Sequence, residues 1–222
     1  MTAALFSWPW VFDHLDDIWA QTLEHLWLTT IAVTVGLLIS LGLSAYVLHT
    51  RKAYGPITWT TGVLYTIPSL ALFAFLVPIT GLSVLTAEIG LVSYTLLILI
   101  RNIVAGIDGV PSSVLEAAVG MGYTRRELFI GVQLPLAMPI IITGVRIAAV
   151  TTIGLVTVTA LIGQGGLGFF ILRGLSLLFS PIGTTQIVVG TVLSVVLALA
   201  VDLALVGTQR ALTPWARSKE AV

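Results

Sequence analysis

Side chains that could carry out covalent or metal chemistry are few in this sequence and lie far apart. The chain has no cysteine, which excludes disulfides, thiol catalysis and a zinc–thiolate site. His14, His25 and His49 show no metal-ligand spacing, so we predict interfacial or loop residues and no metal site. The chain has no cysteine and no histidine lies within a predicted span, which argues against a membrane-embedded enzyme.

One glycine-rich stretch has the spacing of a dinucleotide-binding fingerprint. Residues 163–168 read GQGGLG, which places glycines at Gly163, Gly165, Gly166 and Gly168. That fingerprint requires a preceding strand and a surrounding βαβ unit, whereas this stretch follows a long apolar segment. We therefore predict an external turn or a re-entrant loop rather than a nucleotide site.

A phosphate-binding P-loop is also missing from the sequence. Its G-x-x-x-x-G-K-[ST] pattern needs a lysine in a glycine-rich loop, and the chain has only Lys52 and Lys219, neither in such a loop. The chain is therefore not expected to hydrolyse ATP, and any ATP-derived energy must come from a separate subunit.

Two ionisable residues, Arg146 and Asp202, lie inside long apolar runs. Arg146 follows Pro135 by eleven residues and Asp202 precedes Arg210 by eight. At 1.5 Å per residue both lie about 12–17 Å from those markers. Because ionisable groups within a membrane are usually paired or functional, we predict an ion pair between them. The alternative is that each side chain extends separately toward a headgroup region.

The composition is that of a membrane protein. Hydrophobic residues make up 57% of the 222 residues and charged residues only 9%, and the mean hydropathy is +1.07. A soluble domain usually carries about 25% charged residues, so this chain could not cover itself with a polar surface. The formal net charge is zero, which gives no indication of a nucleic-acid partner. We expect an all-α integral membrane protein in contact with lipid.

Apolar runs of about 20 residues predict five transmembrane helices. They are placed at about 26–48, 57–79, 84–106, 134–162 and 186–207, in a membrane domain of residues 26–207. Residues 1–25 precede the first span. Between 7 and 25, apolar residues recur at three- and four-residue steps with acidic residues between them. This pattern predicts an amphipathic lead-in helix at the membrane–water interface.

The basic residues predict the orientation, because they are enriched on the cytoplasmic side. Three clusters follow the first, third and fifth spans: Arg51 and Lys52, then Arg125 and Arg126, then Arg210, Arg217 and Lys219. An N-terminus outside places all three in the cytoplasm. Residues 109–135 then form a cytoplasmic loop, residues 208–222 a cytoplasmic tail, and the lead-in helix is external.

The loop 109–135 contains two Ser/Thr-x-x-Glu patterns that predict capped helices. They are Ser113 with Glu116 and Thr124 with Glu127. Gly122 lies between them and is predicted to end the first helix in the left-handed conformation. The loop should therefore be two short helices. Such helices are marginal alone and could dock into a partner's groove, or else form a solvated connector.

The second of these helices is expected to run to about Gln133. Pro135 follows shortly after, and a proline inside a helix removes a hydrogen bond and clashes with the preceding turn. We therefore predict a disturbance between the loop and the fourth span.

The same loop carries a longer pattern with fixed spacing. Glu116-Ala117-Ala118, three residues, Gly122, nine residues and Val132-Gln133-Leu134-Pro135 resemble the EAA motif of permease subunits of bacterial ABC importers. The only departure is Val132, where isoleucine is usual. The resemblance implies a type I ABC-importer-like permease whose EAA coupling loop inserts into a cleft of the ATPase subunit. The residues expected at that contact are Glu116, Ala117, Ala118, Gly122, Arg125, Arg126, Leu134 and Pro135.

The resemblance also implies partners. Two ATPase subunits would carry ATP and Mg²⁺, and this chain itself would bind no cofactor. A second permease subunit, identical or paralogous, would complete the pathway, and an extracytoplasmic solute-binding protein would deliver substrate. The stretch 163–168, with Gly163, Gly165, Gly166 and Gly168, would face that binding protein. The expected location is the bacterial plasma (inner) membrane.

Further stretches resemble the osmoprotectant branch of these permeases. They are IPSLALFAFLVPITG (67–81), TGVR (143–146) and IGQGGLG (162–168). This branch serves glycine betaine, choline, carnitine and proline betaine. A permease for methionine or another small solute stays open as an alternative. An ion-coupled secondary transporter is less favoured, because the five spans show no repeated halves.

Pro68 lies near the middle of the second predicted span. A proline there frees a backbone carbonyl and kinks the helix, for packing or for function. The functional interpretation places Tyr65, Pro68, Ser69 and Tyr94 on the translocation path. An aromatic face at Tyr65, Tyr94 or Trp59 could then attract a quaternary ammonium group.

Overall fold

The computed structural model describes residues 6–215, and all regular secondary structure in this part of the chain is helical, without a strand. This confirms the all-α prediction. The helices are α1 (Trp8–Asp13), α2 (Leu15–His49), α3 (Tyr54–Thr66), α4 (Ser69–Thr80), α5 (Val84–Asp108), α6 (Ser112–Gly120), α7 (Arg125–Leu128), α8 (Leu134–Thr159), α9 (Gly168–Ser176) and α10 (Pro181–Leu212).

Four of these helical stretches are individually long and apolar enough to cross a membrane: α2, α5, the continuous segment that contains α8, and α10. The helix pair α3–α4 passes the same test together, as a bent fifth candidate. The count of about five spans therefore agrees with the sequence prediction. The predicted spans at 84–106 and 134–162 coincide with α5 and with α8 plus its final turn, Ala160–Ile162.

The second predicted span, at 57–79, is not one helix. It is broken into α3 and α4, which meet at an angle of 95°. The break falls at Ile67 and Pro68, whose ψ angles are 128° and 132°, in the extended region. Proline disfavours the helical conformation of the residue before it and has no N–H of its own. Pro68 therefore lies at a 95° break between two helices and not at a kink within one helix.

The lead-in segment is also different from the prediction. The structure places a short α1 first, and α2 then begins at Leu15 and runs through to His49 without a break near residue 25. No proline lies between Leu15 and His49, so nothing forces the helix to stop. Residues 1–5 of the predicted lead-in lie outside the described residues.

The last predicted span, 186–207, is longer at both ends in the structure. Helix α10 begins at Pro181, capped by the Ser180 side chain, and continues to Leu212. Residues 208–212 of the predicted tail therefore belong to this helix. Residues 216–222 lie outside the described part of the chain.

Helix α5 lies at the centre of the bundle and packs against α2, α3, α4 and α8. One apolar cluster joins Leu28 of α2, Phe73 of α4, Leu91 of α5 and Val156 of α8, all fully buried. A second cluster packs α5 against the first half of α8. Helix α10 packs on α8 and α9 at the side of this core. Helix α8 therefore connects the central bundle to α10.

Candidate functional site

The first loop helix, α6, starts without the predicted capping box. Its N-cap is Pro111, with ψ of 134°, and no side chain caps it. Ser113 is consequently the second residue of the helix, where its hydroxyl does not reach the free amides of the first turn. The predicted capping box of Ser113 and Glu116 is therefore wrong, because the helix is capped at Pro111, two residues before Ser113.

The end of α6 follows the prediction. Gly122 has φ of +88°, in the left-handed region that favours glycine. Its N–H donates to the Val119 carbonyl at 2.9 Å, and the Tyr123 N–H donates to the Ala118 carbonyl at 3.2 Å. These two bonds form a Schellman motif, which satisfies the last carbonyls of the helix without help from the rest of the protein.

The second capping box, at Thr124, is present. The Thr124 hydroxyl accepts from the Glu127 N–H at 3.4 Å, and the Glu127 carboxylate accepts from the Thr124 N–H at 2.8 Å. Helix α7 then passes through a π-helical turn, Phe129–Gln133, into α8. The chain therefore stays helical past Gln133, but the predicted disturbance before the fourth span is present, as this π-helical turn. Pro135 lies in the first turn of α8, where a wider preceding turn accommodates the missing N–H.

The charged side chains of this loop are exposed. Glu116, Arg125 and Arg126 make no hydrogen bond or ion pair with any part of the chain that the structure describes. Ala117 and Gly122 are exposed too, whereas Ala118 is buried and Leu134 and Pro135 are half-buried where α8 begins. The loop thus presents unpaired charges and small side chains on its outer face.

An open groove of about 830 Å³ lies between α6 and α7. Its lining includes Met121, Tyr123, Arg126 and Ile130. Met121 is 70% exposed and Ile130 52% exposed, so large apolar side chains stand in the open beside a guanidinium group. A surface with this mixture of apolar and charged groups suits a protein partner.

The structure brings Arg146 of α8 and Asp202 of α10 together. The Arg146 Nε and one Nη donate to the two carboxylate oxygens of Asp202 at 2.9 and 3.0 Å. This bidentate geometry is the strong form of such a pair. The other Nη donates to Gln209 Oε1 at 3.3 Å, and Gln209 Nε2 donates to the Pro139 carbonyl at 3.2 Å. These residues form a polar staple between α8 and α10.

Gln209 is a member of this staple that sequence reasoning missed. It follows Asp202 by seven residues, which is about two helical turns and places both side chains on one face of α10. That spacing could have identified it once Asp202 was singled out.

The residues predicted near Pro68 also lie together. The Tyr94 hydroxyl of α5 donates to the Ile67 carbonyl at the break between α3 and α4. The rings of Tyr65 and Tyr94 have centroids 5.9 Å apart at an interplanar angle of 68°. Tyr94 is only 5% exposed, while Tyr65 is 38% exposed. Tyr94 thus satisfies a carbonyl freed by the break, and Tyr65 presents the open ring of the pair; Ser69 begins α4 beside them.

The glycine-rich stretch 163–168 forms the connection from α8 to α9, and we refer to it as the glycine loop. Gly163 and Gly166 have φ of +77° and +79°, so both take the left-handed conformation. The Gly165 N–H donates to Glu24 Oε1 at 3.0 Å, and the Leu167 N–H donates to His25 Nδ1 at 3.2 Å. Both acceptors belong to α2.

His25 was predicted to be an interfacial or loop residue, and this is wrong. Its side chain is fully buried, and its Nε2 bonds the Ile153 carbonyl of α8 at 3.0 Å. A histidine with both ring nitrogens engaged satisfies two backbone groups at once, which makes burial of the ring acceptable. No periodicity in the sequence around residue 25 indicates these distant partners.

In the part of the chain that the structure describes, no group of three His, Asp or Glu side chains could hold an ion. The polar contacts described above lie in three places: the exposed loop before α8, the staple between α8 and α10, and the glycine loop after α8.

Comparison with known proteins identifies the family. Residues 38–214 match the family described as "Binding-protein-dependent transport system inner membrane component". The chain is 36% identical over 194 residues to the glycine betaine/carnitine/choline transport system permease protein OpuCB of Bacillus subtilis, which covers 87% of this chain and 88% of the relative. It is 31% identical over 210 residues to the osmoprotectant import permease protein OsmW of Salmonella typhimurium, covering 92% and 96%.

Solved structures agree on the fold. A chain of the MetNI methionine ABC transporter, in an inward-facing conformation, superimposes with a TM-score of 0.76 at 22% identity, covering 94% of this chain and all of the other. An amino acid ABC transporter chain gives a TM-score of 0.73 at 19% identity. The resemblance read from the EAA motif is therefore confirmed, and the fold is that of type I ABC importer permeases. The chain belongs to the family of binding-protein-dependent transport system inner membrane components and is a multi-pass inner membrane protein.

Proposed function

We propose that this chain is the membrane-spanning permease subunit of an ATP-driven ABC importer for a small osmoprotectant such as glycine betaine, choline, carnitine or proline betaine. The observation that carries this proposal is the exposed, self-capped EAA loop, which runs without a break into α8. The loop satisfies its own backbone and leaves Glu116, Arg125 and Arg126 unpaired. This arrangement is expected of an element that awaits a partner.

The partner at this loop is an ATPase subunit. The small side chain of Ala117 and the glycine at Gly122 let the exposed face of the loop approach another protein closely, and Glu116 and the two arginines set its register. Ala118 is buried, so it supports α6 rather than the contact itself. Leu134 and Pro135, at the start of α8, then connect this contact to the membrane helix. The chain carries no P-loop lysine, so ATP and Mg²⁺ belong to two such subunits and not to this chain.

Movement of the loop would reach the membrane helices through α8. The π-helical turn joins α7 directly to α8, and the staple of Arg146, Asp202 and Gln209 ties α8 to α10. Loop, α8 and α10 are therefore expected to move as one body when the ATPases close. The break at Pro68, with Tyr65, Ser69 and Tyr94, lies on separate helices and is proposed to line the translocation path.

The rest of the transporter follows from the same proposal. A second permease, identical or paralogous, completes the pathway across a two-fold or pseudo-two-fold axis. An extracytoplasmic solute-binding protein meets the glycine loop, at Gly163, Gly165, Gly166 and Gly168. The orientation is N-terminus outside and C-terminus in the cytoplasm, because it places the basic clusters inside. Long apolar helix faces, as on α10, are covered by lipid or by the second permease.

The osmoprotectant substrate is favoured over methionine by the comparisons. Relatives named for glycine betaine, choline, carnitine or osmoprotectants are 30–37% identical over most of the chain. The methionine transporter shares the fold at 22% identity, which says nothing about substrate. Tyr65 offers an exposed ring to a quaternary ammonium group.

Reconstitution of the permease with its ATPase and solute-binding protein tests this function. We expect ATP-dependent uptake into proteoliposomes of at least one of glycine betaine, choline, carnitine and proline betaine, and none of methionine. The wild-type permease should co-purify with the ATPase, and Gly122→Trp should not. Uptake without ATP, or an intact complex and full uptake with Gly122→Trp, would refute the proposed role of the loop.

A further inference from the structure

The glycine loop is held by two consecutive residues of a distant helix. Glu24 and His25 of α2 bind the N–H groups of Gly165 and Leu167, more than 140 positions further along the chain. The second ring nitrogen of His25 binds the Ile153 carbonyl in α8. The pair Glu24–His25 therefore joins three segments: α2, α8 and the glycine loop. We call this pair the clamp.

The hydrogen bonds of the clamp define the state of its histidine. Nδ1 accepts a hydrogen bond from the Leu167 N–H, so it carries no proton itself, and Nε2–H must then donate to the Ile153 carbonyl. One neutral tautomer satisfies both partners. Because the ring is fully buried, loss of the Nδ1 bond leaves the Leu167 N–H without this partner in the interior, whereas the Ile153 carbonyl lies within helix α8.

The backbone of the glycine loop packs directly against the clamp, Glu24 and His25. A β-carbon at Gly165 would lie 2.1 Å from a carboxylate oxygen of Glu24, so a side chain at this position would have to displace that carboxylate. A β-carbon at Gly166 would lie 3.2 Å from His25 Nδ1. The glycines therefore serve to bring the loop within hydrogen-bond distance of two side chains, and the shape of the loop depends on those side chains.

The opposite side of this region is open. Gly163 is exposed, and the flanking Leu161 and Phe169 are 49% and 39% exposed. The inner side is thus fixed by the clamp, while the outer side offers backbone and apolar surface. Fixed loops with open outer faces bind partners at a lower entropic cost than mobile loops.

We propose that Glu24 and His25 are positioning residues that hold the glycine loop in the shape that the solute-binding protein recognises. This inference rests on the proposed function, because it requires a binding-protein partner at this loop. It assigns to the clamp a role in partner recognition and not in the ATPase contact or in the transport path itself.

Conservative substitutions separate the bonds of the clamp. His25→Asn keeps an acceptor near the position of Nδ1, and so keeps the bond to the loop while losing the bond to α8. His25→Gln keeps a donor near the position of Nε2, and so keeps the bond to α8 while losing the bond to the loop. Glu24→Gln retains the acceptor for the Gly165 N–H, and Glu24→Ala removes it. His14→Gln is the matched control, because the His14 ring contacts the nearby Trp10, through its carbonyl and by ring stacking, and within the described residues makes no hydrogen bond to the glycine loop.

The measurement is ATPase stimulation of the reconstituted transporter by substrate-loaded binding protein. We expect His25→Gln and Glu24→Ala to need about 10-fold more binding protein for half-maximal stimulation, the effect of losing one hydrogen bond to the loop. His25→Asn, Glu24→Gln and His14→Gln should stay within about 2-fold of the wild type. Basal ATPase activity should be unchanged in all five variants.

Hydrogen exchange of the loop amides provides a readout that needs no partner. The Gly165 amide in Glu24→Ala and the Leu167 amide in His25→Gln should exchange about 10-fold faster than in the wild type. If these amides keep their wild-type exchange rates, the clamp does not hold the loop, and the inference fails.

The outcomes also separate this inference from the proposed function. A wild-type transporter that no solute-binding protein stimulates would overturn the proposed function, and this inference with it. Normal stimulation of the wild type and of His25→Gln alike would overturn this inference alone. Equal losses in His25→Asn and His25→Gln, together with reduced basal activity, would show that His25 only stabilises the fold, and would overturn the inference as well.

Discussion

The loops at the two ends of α8 differ in how their backbone groups are hydrogen-bonded. Before α8, the EAA loop satisfies its backbone with local caps, at Gly122 and Thr124, and leaves its charges exposed. After α8, the glycine loop has backbone N–H groups bound by Glu24 and His25 from α2. The first loop can therefore keep its structure while it moves, whereas the second is fixed to the bundle. Local capping of this kind suits a loop that must follow the motion of a partner.

The strongest effect is expected from Gly122→Trp in the EAA loop. The substitution forces a side chain into φ of +88°, which costs about 1–2 kcal/mol, and places a large ring at the proposed ATPase contact. We expect uptake to fall at least about 100-fold, since coupling to the ATPase should be lost. The measurement is ATP-dependent uptake into proteoliposomes.

Gly120→Ala is the matched control for Gly122. A β-carbon meets nothing within 4 Å at either glycine, but Gly120 has no positive φ. Uptake by Gly120→Ala should equal that of the wild type. If both glycine variants transport normally, the left-handed turn has no role in coupling.

The next effect is expected at the staple between α8 and α10. Asp202→Asn and Arg146→Gln should each reduce uptake about 10-fold or more, because each leaves one partner of a bidentate pair unmatched within an apolar segment. The double variant should be no worse than either single one, as a double-mutant cycle of a direct pair requires. Independent, multiplicative losses would show that the two residues do not act as a pair.

A smaller effect is expected from Tyr94→Phe at the break between α3 and α4. It removes the hydroxyl that donates to the Ile67 carbonyl while keeping the ring against Tyr65. A carbonyl left without this donor costs about 1 kcal/mol, so we expect a loss of thermal stability with the transporter still assembled. The melting temperature in detergent gives the comparison, with Tyr65→Phe as the control. An unchanged melting temperature for Tyr94→Phe would show that the hydroxyl does not support the break.

The smallest effect is expected at the starts of the two loop helices, where the hydroxyls of Thr124 and Ser113 can be compared. Thr124→Ala removes a capping box and should weaken α7 by about 1 kcal/mol. Ser113→Ala should be silent, because Ser113 caps nothing in the structure. For both variants, the measurement is the concentration of ATPase subunit that gives half-maximal binding in a titration. Equal effects of the two substitutions would mean that the cap at Thr124 does not organise the loop.

Sequence reasoning succeeded where the determining interactions are local. The capping box at Thr124, the left-handed Gly122 and the five apolar stretches all follow from residues within a few positions of one another. Arg146 and Asp202 could be paired because charges in apolar helices are rare and their depths could be estimated. The EAA spacing identified the loop for the same reason.

Most of the features that the sequence did not predict depend on distant contacts. Pro68 indicated a kink, but the 95° change of direction requires the packing of α3 and α4 against α5. His25 has neighbours in the sequence that suit an interfacial helix, yet its partners are Ile153 and Leu167. The failed capping box at Ser113 has a local cause, since Pro111 competes with it for the helix start.

The central claim is that the EAA loop, and not the loop at the other end of α8, contacts the ATPase. The chain has no native cysteine, so single cysteines at Ala117 and at Gln164 report on the two loops separately. In the assembled transporter, a short thiol-to-amine cross-linker should join Ala117→Cys to the ATPase subunit and leave Gln164→Cys unlinked to it. No ATPase adduct from Ala117→Cys, or an equal yield from Gln164→Cys, would contradict the account.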